Sequence, residues 1–280
     1  MNARDMTGCV ERQLADSGIE TARLEARLLV SAALGRTDSI PTQVLDAASE
    51  ERLASYVRRR IAREPIAYIL GHKEFWSLHF EVGPGVLVPR PESELLIEEV
   101  QREFPDRIAP LDVLDLGTGS GILLIATLTI YSAARGVGID CSTSAIRWAN
   151  RNVELHGLYE RCTLMEQNWA ADLGCKADAI LVNPPYVAEW EFSNLPPEVG
   201  QYEPAEALLG GGDGLAAYRS LAPRIAHMLK PGGRAFLEIG SGQSQPVTQI
   251  LANAGLEVSR ISPDLAGIPR CVVCRLRKAQ

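Results

Sequence analysis

Apolar residues in the first seventy positions recur at helical spacing and nowhere alternate as a half-buried strand would. Leu24, Leu28 and Leu29 with Ala32 and Ala33 form one stripe, Leu53, Val57 and Ile61 another, and Gly35 and Pro41 punctuate the pair. The pattern predicts a small helical bundle over residues 1–72, with these stripes as its core. The period then changes. Phe75, Trp76, Leu78, Phe80 and Val82 partly alternate, Gly83-Pro84-Gly85 interrupts them, and Val86-Leu87-Val88-Pro89-Arg90-Pro91 follows. A hairpin-like connector over residues 73–92 is expected. Pro91 followed by Glu92, Glu94 and a Leu/Ile run fits the first turn of a helix, where the missing N–H costs nothing and carboxylates face the positive end of the dipole.

From Leu111 the chain repeats short apolar runs, at 111–116, 135–139, 162–166, 178–182, 233–239, 256–261 and 270–276, separated by helical stretches. Seven strands interleaved with helices predict an α/β domain over residues 93–280, with a mostly parallel sheet covered on both faces. The longest uncharged apolar run, Gly121 to Ala134, is too short to span a bilayer.

Composition narrows the class. The 280 residues are 46% hydrophobic and 22% charged, a globular balance with room for two domains. A net charge of −7 argues against direct nucleic-acid binding, which rests on basic faces, and suits a basic protein partner. Six cysteines lie scattered and the first residues lack an apolar signal core, so a soluble cytoplasmic protein is expected. His72, His79, His156 and His227 show no paired spacing, and no metal is expected. Cys271 and Cys274 form a C-x-x-C, but three apart on a strand they face opposite sides, as structural thiols.

Candidate chemistry sits at four successive strand ends. Asp115-Leu116-Gly117-Thr118-Gly119-Ser120-Gly121 closes the first strand, its glycines allowing a tight turn and close backbone approach to a ligand, or simply a structural turn. Ile122 stands where a dinucleotide fingerprint needs glycine, and no Lys-Ser/Thr pair follows for a phosphate loop. Asp140 ends the second strand, placed to accept two ribose hydroxyls. Near the third strand's end, Asn168 offers an acceptor for an adenine amine and Trp169 a packing surface. After the fourth come Asn183-Pro184-Pro185-Tyr186. Prolines donate no N–H, so neighbouring carbonyls stay free as fixed acceptors. Asn183 adds a side-chain oxygen and Tyr186 a flat ring, a set that suits a planar –NH₂ group. Gly210 to Gly214 reads as a flexible loop leading into a helix.

This constellation resembles the class I S-adenosylmethionine-dependent methyltransferases, in the branch that methylates planar nitrogens. Ala67-Tyr68-Ile69-Leu70-Gly71 with Glu74-Phe75-Trp76, Val88-Pro89-Arg90-Pro91-Glu92-Ser93-Glu94, Tyr202-Glu203-Pro204-Ala205-Glu206-Ala207-Leu208 and Asp264-Leu265-Ala266-Gly267 with Arg270 further resemble the HemK/PrmC family of glutamine N5-methyltransferases. The resemblance covers the chain from residue 64 onward. It implies that the glutamine of the Gly-Gly-Gln motif in class 1 peptide chain release factors is the substrate and S-adenosylhomocysteine the product. It also implies that residues 1–72 help hold the release factor. Gly117, Thr118, Gly119, Ser120 and Gly121 would take the methionine end, Asp140 the ribose, Asn168 and Trp169 the adenine. Asn183, Pro184, Pro185 and Tyr186 would clamp the glutamine, with Asn183 also beside the cofactor. The family's usual Asp is Asn at 168. Rival readings are an amino methyltransferase for nucleic-acid bases, a methyltransferase for a glutamine on a ribosomal protein, which is closer still, and a cofactor-binding module without catalysis.

Overall fold

The computed structural model describes residues 2–35, 45–169, 171 and 174–278, so Pro41 lies outside the described residues. The chain divides into two compact units. One comprises residues 1–72 with 196–202, the other residues 73–195 with 203–280.

The first unit holds α1 (Ala3–Asp16), α2 (Ala22–Ala33), α3 (Ala47–Ile61) and α4 (Ile66–Leu70), joined by a one-turn helix at Pro197–Gly200. Side-chain oxygens of Asn2 and Asp46 accept from the N–H groups of Asp5 and Ser49, both at 2.8 Å, satisfying donors that the first turn leaves open. Leu14, Leu29, Val30, Leu53, Val57 and Ile69 share one core. The predicted stripe on α2 is partly misplaced: Leu24 and Leu28 point outward, 57% and 40% exposed, and Ile61 is exposed too. The inward face of α2 runs instead through Ala22, Glu25, Ala26, Leu29, Val30 and Ala33. Glu25 is on it because Arg60, equally buried, needs a counter-ion. Arg60 Nε lies 2.5 Å from Glu25 Oε2, and its Nη2 lies 3.1 Å from Glu198 Oε1.

The second unit opens with a two-stranded sheet, β1 (His72–Phe75) and β2 (Leu78–Glu81). The two-residue turn between them, Trp76 and Ser77, has both φ values positive, the twist that suits a tight hairpin. Phe75 and Phe80 meet edge-on at 6.2 Å and enter the core of this unit, so the connector is part of the sheet domain's packing. A 3-10 turn at Pro91–Ser93 leads into α5 (Glu94–Glu103).

The main sheet contains β3 (Asp112–Leu116), β4 (Arg135–Asp140), β5 (Cys162–Glu166), β6 (Ala177–Val182), β7 (Leu229–Glu238), β8 (Leu256–Pro263) and β9 (Pro269–Leu276). Its order is β5-β4-β3-β6-β7-β9-β8, with β9 antiparallel to its neighbours and the other pairings parallel. β7 begins earlier than its apolar run because Lys230-Pro231-Gly232-Gly233 is absorbed as a register shift between Leu229 and Arg234. Alternate residues feed two cores. Val113, Leu181, Phe236 and Val273 pack with α5 and with α6 (Ile122–Ile130), while Leu114, Ile180, Leu237 and Val272 pack with helices Ala216–Met228 and Ser244–Asn253. Cys271 falls in the first core and Cys274 in the second, on opposite faces, both fully buried. The α6 helix is buried at every position from Ile122 to Leu128, which accounts for its uniformly apolar sequence.

The chain enters the sheet at its middle, builds outward through β4 and β5, then returns to build the other way through β6 and β7. Such a reversal leaves a crevice at the carboxyl ends of the two central strands.

Two stability measurements follow from buried charge. Arg60→Ala strands the Glu25 carboxylate, and urea denaturation should show a loss of about 3–5 kcal/mol in the helical unit; a change under about 1 kcal/mol would contradict the pairing. Asp115, fully buried at the end of β3, has its carboxyl pushed up to about 7 from an ordinary 3.8 by burial, against a 2.7 Å hydrogen bond from Thr118 Oγ1. The folded chain therefore keeps a proton that the unfolded chain releases, so stability falls as pH rises from about 4 to about 7 and levels off above. Asp115→Asn should remove that slope and be more stable than wild type at pH 8, by on the order of 2–4 kcal/mol in a denaturant series at several pH values.

Candidate active site

Strand register builds the site. Leu116 pairs with Ile139 on one side and Val182 on the other, and Val182 pairs with Leu237. The next residue on each strand is Gly117, Asp140, Asn183 and Glu238, so four distant stretches form one row along the sheet's edge.

The glycine turn is tied down at its start, where the N–H groups of Gly117 and Thr118 both reach the Ile139 carbonyl at 2.9 Å. Gly117 has φ +81°, so glycine is needed for the turn, and a Cβ there would lie in ordinary contact, 3.4 Å, with the Trp169 ring. Asp140 accepts from Gly119 N–H through Oδ2 and from Ser142 N–H through Oδ1, each at 2.9 Å. Burial raises its pKa, opposed by those backbone donors. Each oxygen keeps a further lone pair for a ligand hydroxyl.

A cavity of about 470 Å³ runs along this edge, floored by Gly117–Ser120 and bordered by Asp140, Trp169, Asn183 and Pro185. Its size is that of a small-molecule site. A second recess, about 40 Å³, lies against Pro184, Tyr186, Val187, Leu208 and Glu238. The two share Leu87, Arg90, Asn183 and Ala207 as common wall.

At that junction the Asn183 amide is held by its nitrogen. Nδ2 donates to Ser93 Oγ at 3.0 Å, Ser93 Oγ donates to Glu238 Oε2, and Tyr186 Oη donates to Glu238 Oε1 at 3.1 Å. Glu238 is 1% exposed; burial raises its pKa against the Ser93 and Tyr186 hydrogen bonds. Burial and the neighbouring Glu238 charge hold the Tyr186 phenol far above its ordinary range, so it stays a donor. Neither Asn183 Oδ1 nor the Pro184 carbonyl accepts a hydrogen bond from any described residue. Below them the backbone is braced: Gln243 Nε2 donates to the Tyr186 carbonyl at 2.9 Å, and Val187 N–H donates to the Leu208 carbonyl at 2.9 Å. Gly210 to Gly214, expected as a flexible loop, is a packed support. A Cβ on Gly210 would meet the Pro185 carbonyl at 2.7 Å, and one on Gly214 the Tyr186 carbonyl at 2.4 Å.

The structure thus gathers Gly117, Thr118, Gly119, Ser120, Asp140, Trp169, Asn183 and Pro185 on the large cavity and Pro184 and Tyr186 on the recess. Gly121 and Asn168 line neither. Gly121 sits behind the turn against Ile125 and Ala149, and Asn168 is exposed beside Trp169. Sequence reading missed Ser93, Glu238 and the pair Arg90–Glu203. Glu203 takes Arg90 Nη2 at 2.6 Å and the Val88 N–H at 3.0 Å, pinning the connector over the cavity. Burial raises the Glu203 pKa, with Arg90 and Val88 opposing. The only signal for Glu238 was a carboxylate closing the apolar run Ala235-Phe236-Leu237. Among the described residues no group of three or more His, Cys, Asp or Glu is placed to hold a metal, and no helix is long and apolar enough to cross a membrane.

Comparison with known proteins agrees with this geometry. Residues 9–71 match the model of the PrmC N-terminal domain and residues 91–195 that of the methyltransferase small domain. A release factor glutamine methyltransferase of Caulobacter vibrioides is 41% identical over 266 residues, covering 93% of this chain and 92% of that protein. One from Moorella thermoacetica is 38% identical, covering 99% of this chain and all of the other. Among solved structures, the Thermus thermophilus 16S rRNA N2 G1207 methyltransferase, in complex with AdoMet and guanosine, superposes with a TM-score of 0.52 at 19% identity. That match covers 74% of this chain and 50% of the other. The seven-stranded, mostly parallel sheet is a class I methyltransferase fold, and the chain belongs to the release factor glutamine methyltransferase family.

Proposed function

We propose that this protein transfers the methyl group of S-adenosylmethionine to the side-chain amide nitrogen of the glutamine in the Gly-Gly-Gln motif of class 1 peptide chain release factors, in the cytoplasm, leaving S-adenosylhomocysteine. The observation that carries the reading is the junction at Asn183, where a cofactor-sized cavity and a small recess share a wall, and where the amide oxygen accepts no hydrogen bond from a described residue.

The residues fit the cofactor. Gly117 to Ser120 would take the methionine end, with no side chain on Gly117 or Gly119 to block it. Asp140 would accept the ribose hydroxyls, Trp169 would pack near the adenine with Asn168 beside it, and Gly121 would shape the turn from behind. When bound, S-adenosylmethionine supplies an electrophilic methyl carbon. The chain's own contribution is to aim the nucleophile. A carboxamide nitrogen is weak because its lone pair is spread into the carbonyl. Asn183 Oδ1 and the Pro184 carbonyl, accepting its two hydrogens, would fix the nitrogen and favour loss of that conjugation, while Pro185 keeps the turn rigid and Tyr186 holds the amide plane. Orientation and fixed dipoles of this kind account for several kcal/mol of barrier lowering. As the N–C bond forms and the methyl–sulfur bond breaks, the nitrogen sheds one of its two protons to solvent, so the scheme needs no dedicated general base. Residues 1–72, with 196–202, are assigned to holding the release factor.

A nucleic-acid base in the same clamp is a rival reading. The recess offers one aromatic ring, Tyr186, between aliphatic walls of Leu87, Val187, Ala207 and Leu208, a lining suited to a chain-borne carboxamide more than to a stacked base. The net charge of −7 points the same way.

Asn183→Ala should lower methyl transfer by roughly 10²–10³-fold while S-adenosylhomocysteine affinity stays close to wild type. The check is labelled S-adenosylmethionine with a purified release factor, the added methyl located by mass spectrometry. Wild-type turnover in the variant, or a methyl on any residue other than that glutamine, would overturn the assignment.

A further inference from the structure

An asparagine amide has two ends of nearly equal size, and only one of them can accept a proton. For the clamp to work, the oxygen must face the substrate, so something must decide which way the amide is turned. We propose that Glu238, acting through the hydroxyl of Ser93, sets the orientation of the Asn183 amide. This inference rests on the reading of Asn183 as an acceptor given above, and makes Glu238 and Ser93 positioning residues for it.

Ser93 is completely buried, so water does not share its hydroxyl. That hydroxyl has one hydrogen, and it goes to Glu238 Oε2, taken as an ionised carboxylate that can only accept. Ser93 Oγ is then left as an acceptor toward Asn183, and Asn183 must present Nδ2, at 3.0 Å. The amide oxygen is thereby turned to the recess. The other carboxylate oxygen, Oε1, takes the Tyr186 hydroxyl, so one buried anion fixes both the acceptor and the ring of the clamp.

The hydrogen bonds from Ser93 and Tyr186 and the positive charge of Arg270 favour that anion, against its burial and the negative charge of Glu92. Cys271 lies directly across from Glu238 in the sheet, and Tyr218 donates to the Glu238 backbone carbonyl at 2.8 Å. If a hydrogen is placed on the side of Glu238 that faces Ser93, the relay reverses. Ser93 then accepts from residue 238 and passes its own hydrogen to Asn183 Oδ1, and the amide turns its NH₂ toward the substrate's NH₂. Two donors then face one another and the nitrogen is no longer held.

Glu238→Gln does this at nearly constant volume, with the new amide keeping its oxygen toward Tyr186 and its nitrogen toward Ser93. Ser93→Ala cuts the relay without reversing it, leaving Asn183 to sample both orientations. The experiment measures single-turnover transfer at saturating S-adenosylmethionine in Glu238→Gln, Ser93→Ala, their double variant and Asn183→Ala, with S-adenosylhomocysteine affinity by calorimetry for each. Glu238→Gln is expected to lose roughly a hundredfold in rate with affinity within about twofold; Ser93→Ala is expected to lose less. The double variant is expected to recover to the Ser93→Ala rate, since without the hydroxyl the wrong hydrogen is not passed on. A residue that only stabilises the fold gives additive losses. A double variant slower than Glu238→Gln, or single variants at wild-type rate, would overturn the relay. If Glu238→Gln fails to bind the product, Ser93→Cys replaces it: a thiol that still donates to Glu238 should exceed Ser93→Ala in rate, and equal rates would overturn the proposal. Asn183→Ala separates the two claims. If it is inactive while the Ser93 and Glu238 variants are unaffected, the relay alone is wrong; if it is itself active, the clamp is wrong and the relay with it.

Discussion

A carboxylate removed from water must be satisfied by the protein around it, and at the end of β7 two side-chain donors among the described residues meet that demand. Glu238 takes one hydrogen from Ser93 and one from Tyr186. Those two residues come from the turn before α5 and from the turn after β6, so satisfying one buried anion locks the connector, the sheet and the Asn-Pro-Pro-Tyr turn together. An unpaired charge there would cost several kcal/mol. The same constraint leaves Asn183 with its nitrogen occupied and its oxygen available.

The rest of the site is carried by the sheet. Parallel pairing of β4, β3, β6 and β7 puts Asp140, Gly117, Asn183 and Glu238 side by side, though they are separated by up to 121 positions in the chain, the interval from 117 to 238. Around that row, loops approach so closely that side chains have no room. Gly210 and Gly214 lie against the carbonyls of Pro185 and Tyr186. The prolines free the carbonyls, the glycines let supporting backbone come up beneath, and Gln243 ties the Tyr186 carbonyl to the next helix. Rigidity of the Asn183–Tyr186 turn is thus a property of several loops at once, with Pro184 and Pro185 braced from below.

Much of this was legible in the chain. All seven strands of the main sheet overlap the apolar runs, β7 beginning earlier, because a buried strand leaves a short, dense apolar run between turn residues. Asp140 and Asn183 could be found because each follows such a run directly. Three things were not legible, for physical reasons. On α2 the stripe expected through Leu24 and Leu28 is displaced: the buried face runs through Ala22, Ala26, Leu29, Val30 and Ala33 with Glu25 paired to Arg60, and small alanines beside a charge hide it from a count of large apolar residues. Gly210 to Gly214 looked flexible because glycine marks both mobile loops and tight packing, and only the neighbouring carbonyls tell them apart. Glu238 carries no local signature and Ser93 only its place in a family motif, with no role attached, since a buried hydrogen-bond partner 145 positions away is fixed by topology. Membership of residues 196–202 in the helical unit has the same origin: Glu198 pairs with Arg60 and Arg63.

The central claim is that an acceptor rim at Asn183 and Pro184 holds a carboxamide with its nitrogen toward the methyl donor. It is tested most directly by a crystal structure of this chain with S-adenosylhomocysteine and a peptide containing Gly-Gly-Gln. The account predicts the glutamine nitrogen within about 3 Å of both Asn183 Oδ1 and the Pro184 carbonyl, on the side facing the sulfur. An Asn183 amide presenting Nδ2 to the peptide, or a glutamine bound with its nitrogen turned from the sulfur, would contradict it.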